Sequence, residues 1–251
     1  VPDIVVHTGF GADVLKKLSL DIDRDIFNFG LLGPDPYLFY RFYLPPFRNR
    51  VNRYSTVMHN ERTGEFLLQL ARYAIDSREV FSYLCGFLCH YALDSTAHPY
   101  INEKAQYSPV MHMAIEHRID RMTGKNIRIP PFLPATMSEA VGGAIDSVYG
   151  FSEAWEKLRE GRRDMAKFYR IVADESGRLD RFARITHSKL RLVSYRSHAI
   201  DDMNLSGFEA LYQLALLDAV KFITAAERFV GGEIDEAALR SVIGDRSYIK
   251  G

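Results

Sequence analysis

The chain has 251 residues, 47% of them hydrophobic and 12% aromatic, enough apolar side chain to bury a substantial core in one domain or two. Thirty-two Lys and Arg balance thirty-two Asp and Glu, so no chain-wide positive field marks a binder of duplex nucleic acid or anionic membrane, though local patches are left open. No apolar run is long enough to span a bilayer, and VPDIVVHTGFG lacks the basic region and cleavage site of a signal peptide. The expectation is a cytoplasmic protein without a transmembrane segment, with a cleaved, secreted form as the alternative.

In chain order, residues 11–18 and 24–32 read as two short amphipathic helices after His7, closed at Gly33-Pro34. Asp35 then sits between two prolines. It is either the N-cap of a helix opened by Pro36 or a carboxylate aimed inward by a stiff backbone. Six rings follow between Tyr37 and Phe47, which form core or the wall of an apolar substrate cleft, with Tyr37 the substrate-binding candidate. His59 precedes the helical run GEFLLQLARYAIDS and is expected at or before its start, in a loop or cap.

The stretch from Cys85 to Tyr100, CGFLCHYALDSTAHPY, sets His90, Asp94 and His98 at four-residue steps. Side chains four apart on a helix have Cβ atoms roughly 5–6 Å apart, so His90 and Asp94 can reach one ion from adjacent turns. Phe81, Leu84, Leu88 and Tyr91 make the helix apolar and interior, where an unpaired carboxylate is costly and a cation offsets the cost. His98 directly precedes Pro99, so the helix is expected to end there and release that imidazole. The only cysteines, Cys85 and Cys89, are four apart on this helix, poor geometry for a disulfide and a spacing one residue too long for C-x-x-C-H haem attachment.

Pro109 opens another helix, PVMHMAIEHRIDRMTG, in which His112 and Glu116 repeat the four-residue spacing and His117 points off their face. Residues 124–136 are a proline-rich connection, and helices are expected near 137–149, 151–173, 178–197, 204–230 and 234–243. Strand signals are nearly absent. The pattern predicts an all-α, single-domain multi-helix bundle over 1–251, its metal site drawn mainly from 1–120 and its remainder completing the bundle.

Five of the eight histidines lie between His7 and His112, accompanied by Asp35, Asp94 and Glu116. Nitrogen and oxygen donors without sulfur suit zinc or a neighbouring transition metal and not calcium. So many donors imply two or three ions, the usual apparatus of phosphate-ester hydrolysis. His7, G33-P-D35, His59, H90-Y-A-L-D94-S-T-A-H98-P-Y and H112-M-A-I-E116 together resemble the zinc-dependent phospholipase C family, whose all-helical fold is shared with zinc-dependent single-strand nucleases.

The resemblance implies one zinc held by Asp35, His59, His90 and Asp94, a second by His98, His112 and Glu116, and a third by His7 with Asp94 as a bridge. In the family the third ion is completed by an N-terminal tryptophan; here the backbone amine of Val1 is the candidate. Asp35 is also the candidate general base, with a metal-bridging hydroxide as the competing nucleophile. Thr56 stands three before His59, where the choline-recognising members carry an aromatic. The expected activity is zinc-dependent hydrolysis of a small-molecule or lipid phosphate ester. A single-strand nuclease or nucleotide phosphodiesterase is the alternative on the same scaffold, and a non-catalytic, metal-stabilised lipid- or partner-binding module the alternative of another class.

Overall fold

The computed structural model describes residues 4–45, 48–123, 134–188 and 192–248, and every regular element among them is helical. The first half carries α1 (Ile4–Leu15), α2 (Arg24–Gly30), α3 (Pro36–Phe39), α4 (Asn52–Asn60), α5 (Thr63–Ala74), α6 (Arg78–Lys104) and α7 (Pro109–Met122). The second half carries α8 (Gly143–Tyr149), led in by a short 3-10 and π stretch, then α9 (Ala154–Ala173), α10 (Arg178–Ile185), α11 (Gly207–Val230) and α12 (Glu236–Ile243).

Helix α6 is the axis. It opens on Ser77, whose Oγ accepts from Val80 N. From Val80 to Ser95 every residue is buried, as expected for a helix apolar on all faces and wrapped by neighbours. Helices α1, α2, α5, α7 and α11 pack around it. The tightest approach is with α2, where Gly30 and Gly86 meet: a Cβ on Gly30 would lie 2.3 Å from the Tyr83 carbonyl, and one on Gly86 2.1 Å from that of Phe27. One hydrophobic cluster runs from Val6 to Tyr248, joining both halves of the chain. A smaller one unites Ile4, Val5 and Leu32 with Met165, Tyr169 and Val172 of α9.

Several sequence expectations change here. Helix α6 does not stop at His98 but runs through Pro99 to Lys104. Proline fixes a helical φ, but it removes its own N–H from the ladder and crowds the carbonyl of Ser95 one turn back. Burial of Ala97, His98 and Ile101 holds the helix together across that gap. His7 lies inside α1, which starts at Ile4 and not near residue 11. His59 precedes α5 as expected but lies in the last turn of α4 and not in a loop or cap, because residues 52–60 form a helix of their own. The helix expected over 178–197 ends at Ile185. Most of the proline-rich connection, and Val1, lie outside the described residues.

Candidate metal centre

Four helices and one turn deliver the candidate ligands to one place. Helix α1 brings His7, α4 brings His59, α6 brings His90, Asp94 and His98 one turn apart, and α7 brings His112 and Glu116. Asp35 comes from the turn after α2. It occupies the N-cap position of α3 and is followed by Pro36 at N1, yet its side chain makes no capping hydrogen bond. The carboxylate is turned inward and buried, so the inward reading describes the side chain and the capping reading only the backbone.

Asp94 is the hub. Its Oδ1 lies 3.1 Å from His7 Nε2, and its Oδ2 lies 3.2 Å from His90, 3.6 Å from His59 and 3.6 Å from His98 Nε2. Asp35 Oδ1 lies 3.2 Å from His59 Nε2. None of these atoms has a hydrogen-bond partner among the described residues: His7, His59, His90 and His98 Nε2, Asp35 Oδ1 and both Asp94 oxygens are buried and orphaned. Charge-assisted hydrogen bonds are shorter, about 2.7–2.9 Å. Two ligands about 2.0–2.1 Å from one tetrahedral zinc stand roughly 3.3 Å apart, close to the spacings found. The donors therefore fit a metal better than they fit one another.

The outer nitrogens support the same assignment. The Nδ1–H of His59 donates to the Ser55 carbonyl at 2.7 Å, that of His90 to the Leu31 carbonyl at 3.2 Å, and His112 Nδ1 pairs with Asn102 Oδ1 at 2.8 Å. For His59 and His90 such bonds fix the tautomer that a metal would need at Nε2, while His112 Nε2 pairs with Glu116 Oε1 at 2.6 Å. Ligand atoms lying within 4.8 Å of one another form three groups: His98, His112 and Glu116; His59, His90 and Asp94; and His7, Asp35 and His90. The first matches one implied set residue for residue. The other two divide the remaining donors differently, grouping Asp35 with His7.

Electrostatics follow from burial and from these contacts. Burial disfavours a charged His59, but the carboxylates of Asp35 and Asp94 outweigh it and hold its pKa up at about 9. Burial pushes His90 and His98 well below the ordinary imidazole value. For Asp94 burial raises the pKa, and the surrounding imidazoles of His90, His98 and His7 overcome it and hold the group well below 3.8. Asp35 goes the other way, because burial dominates and lifts it. Cys85 and Cys89 are free, buried thiols pushed well up by desolvation, inert bystanders within α6.

One face of the centre is open. A cavity of about 500 Å³ is lined by His59, His98, His112 and Glu116 and by the apolar Leu38, Phe39, Met113, Phe168 and Tyr169. Tyr37, the expected cleft residue, does not line it. That ring is fully buried, with its hydroxyl donating to the Ala154 carbonyl at 2.8 Å. The aromatic wall comes instead from Phe39, two residues on, and from α9, where Phe39 and Phe168 meet at 5.0 Å. His117 lines the same cavity and packs on Tyr195 at 4.3 Å.

Two supporting residues carry no spacing signal in the sequence. Tyr248 is buried against the His59 ring at 4.7 Å, and its N–H donates to the His59 carbonyl at 2.7 Å, bracing the end of α4. Asp120, one turn beyond Glu116, accepts from Val5 N at 3.2 Å and Val6 N at 2.8 Å, and from the Tyr195 hydroxyl. It thereby fixes the start of α1 and the register of His7.

Gly33 is the tightest constraint on the first turn. Its φ is +52°, and a Cβ there would lie 2.2 Å from His90 Cδ2 and 2.4 Å from its Nε2. The His90 ring is tied to Leu31 and stacked on His7 at 4.5 Å, so it cannot withdraw. Gly33→Ala is expected to weaken metal binding at least ~10-fold and to lower stability by about 1–3 kcal/mol. Chelator competition and a thermal melt read both effects; unchanged metal affinity would refute this placement of His90.

A family model described as zinc dependent phospholipase C matches residues 6–193, and the comparisons with curated proteins and with solved structures give no match. That span covers about three-quarters of the chain and contains all eight side chains of the candidate centre. All-helical among its described residues and matched over most of its length by that model, the chain belongs to the zinc-dependent phospholipase C family.

Proposed function

We propose that this protein hydrolyses a phosphate ester whose alcohol is apolar, using two or three zinc ions held by His7, Asp35, His59, His90, Asp94, His98, His112 and Glu116. The observation that carries the reading is that His98, His112 and Glu116 both form one group of converging donors and line the open cavity: three protein donors would leave a four-coordinate ion one position for water or substrate. A purely structural site closes its coordination. Zinc bound here supplies Lewis acidity, polarising a phosphoryl oxygen and making water a nucleophile near neutral pH.

The chain's own residues do the rest. Nδ1 bonds to Ser55, Leu31 and Asn102 hold the rings of His59, His90 and His112 in place. Leu38, Phe39, Met113 and Phe168 exclude water from one side of the cavity and offer contact to an apolar leaving alcohol. Asp35, lifted by burial and set against His59, is the candidate proton acceptor. No lysine or arginine is among the described residues lining the cavity, which favours a lipid or small phosphate ester over the phosphate chain of a nucleic acid.

The test pairs metal content by mass spectrometry, on protein purified without added metal, with turnover of a chromogenic phosphodiester. Two or three zinc per chain and turnover abolished by a chelator support the reading. Zero or one ion, or full occupancy without turnover on phosphate esters, would leave a metal-stabilised binding module. In the same assay Asp35→Asn, which keeps an oxygen donor but cannot take a proton, is expected to retain metal and lose turnover at least ~100-fold. Retained metal with unchanged turnover would remove Asp35 from the chemistry.

A further inference from the structure

The balanced charge of the chain hides a local imbalance. Between Lys157 and Arg196 there are 12 Lys and Arg against 5 Asp and Glu, in a chain whose total is zero. Much of this charge lies on α9 and α10, where Arg163, Lys167, Arg170, Arg178, Arg181 and Arg184 are exposed. Helix α10 places Arg178, Arg181, Phe182 and Ile185 at i, i+3, i+4 and i+7, a single face. That face looks to solvent: Phe182 is 56% and Ile185 73% exposed, while Asp180 and Ala183 are buried.

A bulky aromatic and a β-branched aliphatic left side by side in water, flanked by arginines, do not serve the core. Nor do they suit a nucleic-acid backbone, which has charges to meet the arginines but nothing to bury Ile185. An anionic bilayer surface satisfies both halves, since the headgroups attract the guanidinium groups and the acyl boundary takes the apolar side chains. Ile171, 55% exposed near the end of α9, adds to the same chemistry two residues beyond Tyr169 of the cavity wall. The face is also firmly mounted. The Asp174 carboxylate accepts from Leu179 N at 2.9 Å, Asp180 N at 2.8 Å and Ser194 Oγ at 3.1 Å, fixing α10 to the end of α9.

We propose that the exposed Arg178–Arg181–Phe182–Ile185 face of α10 docks the protein on anionic lipid surfaces, beside the helix that walls the cavity. The choice of lipid over another acidic surface rests on the proposed function; the face itself does not. Docking would present an apolar phosphate ester to the cavity without a water-filled gap. Arg184 contributes less, being paired with Asp180 at 2.6 Å.

The test is sedimentation of the metal-loaded protein with vesicles of phosphatidylcholine and phosphatidylserine in equal parts, and with phosphatidylcholine alone. Wild type is expected to pellet with the mixed vesicles, to be released by high salt, and to ignore the neutral ones. Arg178→Glu with Arg181→Glu, and separately Phe182→Ser with Ile185→Ser, are expected to weaken that binding at least ~10-fold, each basic group near such a surface being worth about fivefold. All four positions are exposed, so turnover of a soluble chromogenic phosphodiester should stay at the wild-type level, which checks folding at once. Wild type that ignores anionic vesicles, binds neutral ones equally, or binds as well with either pair replaced would overturn the proposal. Loss of soluble turnover in wild type would instead count against the hydrolase reading.

Discussion

Asp94→Asn should strip the centre of metal and cut turnover by at least ~1,000-fold, more than any other single substitution in the protein. Asp94 is fully buried and faces four imidazoles, those of His7 and His90 at 3.1 and 3.2 Å and those of His59 and His98 at 3.6 Å. Asparagine fills the same volume but removes the charge that compensates the cations and turns an N–H toward a lone pair that needs a metal. Without metal the cost remains, because breaking a buried ion pair from one side costs about 3–5 kcal/mol. The controls are His112→Ala and Glu116→Gln at the edge of the cavity, which should remove only the ion facing the cleft. Metal analysis reads the difference as one ion lost against at least two. Wild-type metal content in Asp94→Asn would show that Asp94 is no hub.

What the sequence disclosed and what it concealed divide by the range of the signal. The pairs His90 and Asp94, and His112 and Glu116, are local in the chain, and a helix converts their spacing into proximity regardless of what surrounds it. Burial of α6 was legible in its unbroken apolar composition for the same reason. The termination at Pro99 was misjudged because a local rule was set against tertiary packing of Ala97 and Ile101, and packing prevails over a single lost hydrogen bond. The bracing residues were invisible. Tyr248 reaches His59 across most of the chain, and Asp120 reaches Val5 and Val6 from 115 and 114 residues away. No periodicity encodes such pairings. Tyr37 shows the complementary error, since an aromatic-rich segment announces burial but does not say which ring faces the cavity, and in α3 the choice fell to Phe39.

Those long-range braces also explain why the C-terminal half matters to a centre it does not ligate. Phe168 and Tyr169 of α9 line the same cavity as His98 and His112, and Tyr195 links Asp120 to the His117 ring. Among the described residues, the candidate donors all come from the first half. The second adds apolar wall to the cavity beside them, and a low-polarity surround strengthens the charges next to it.

Removing the metal should give the protein an alkaline instability that the loaded form lacks. In the metal-free state His59 has its pKa held up at about 9 from 6.5 by Asp35 and Asp94. A raised basic group contributes stability that is fully present below pH 6.5, declines through the interval and is gone above about 9. At 1.36 kcal/mol per pKa unit this is about 3 kcal/mol in all, of which about 2 kcal/mol disappears between pH 7 and 9. On the acid side His90 and His98 are pushed down by burial, so their share is lost as pH falls below 6.5 and the unfolded chain alone takes up protons. Asp94, held below 3.8, loses its contribution only at lower pH still, whereas Asp35, raised by burial, regains stability as it protonates. Metal-free protein should therefore be most stable near pH 6.5. With zinc bound, His59 is already deprotonated at Nε2, so the alkaline decline vanishes, and acid instead destabilises by competing for the imidazoles. Melting curves on chelated and zinc-loaded samples should show the chelated Tm falling by roughly 4–8 °C between pH 7 and 9 while the loaded Tm stays level. Parallel behaviour of the two samples over that range would mean that His59 is not a metal ligand.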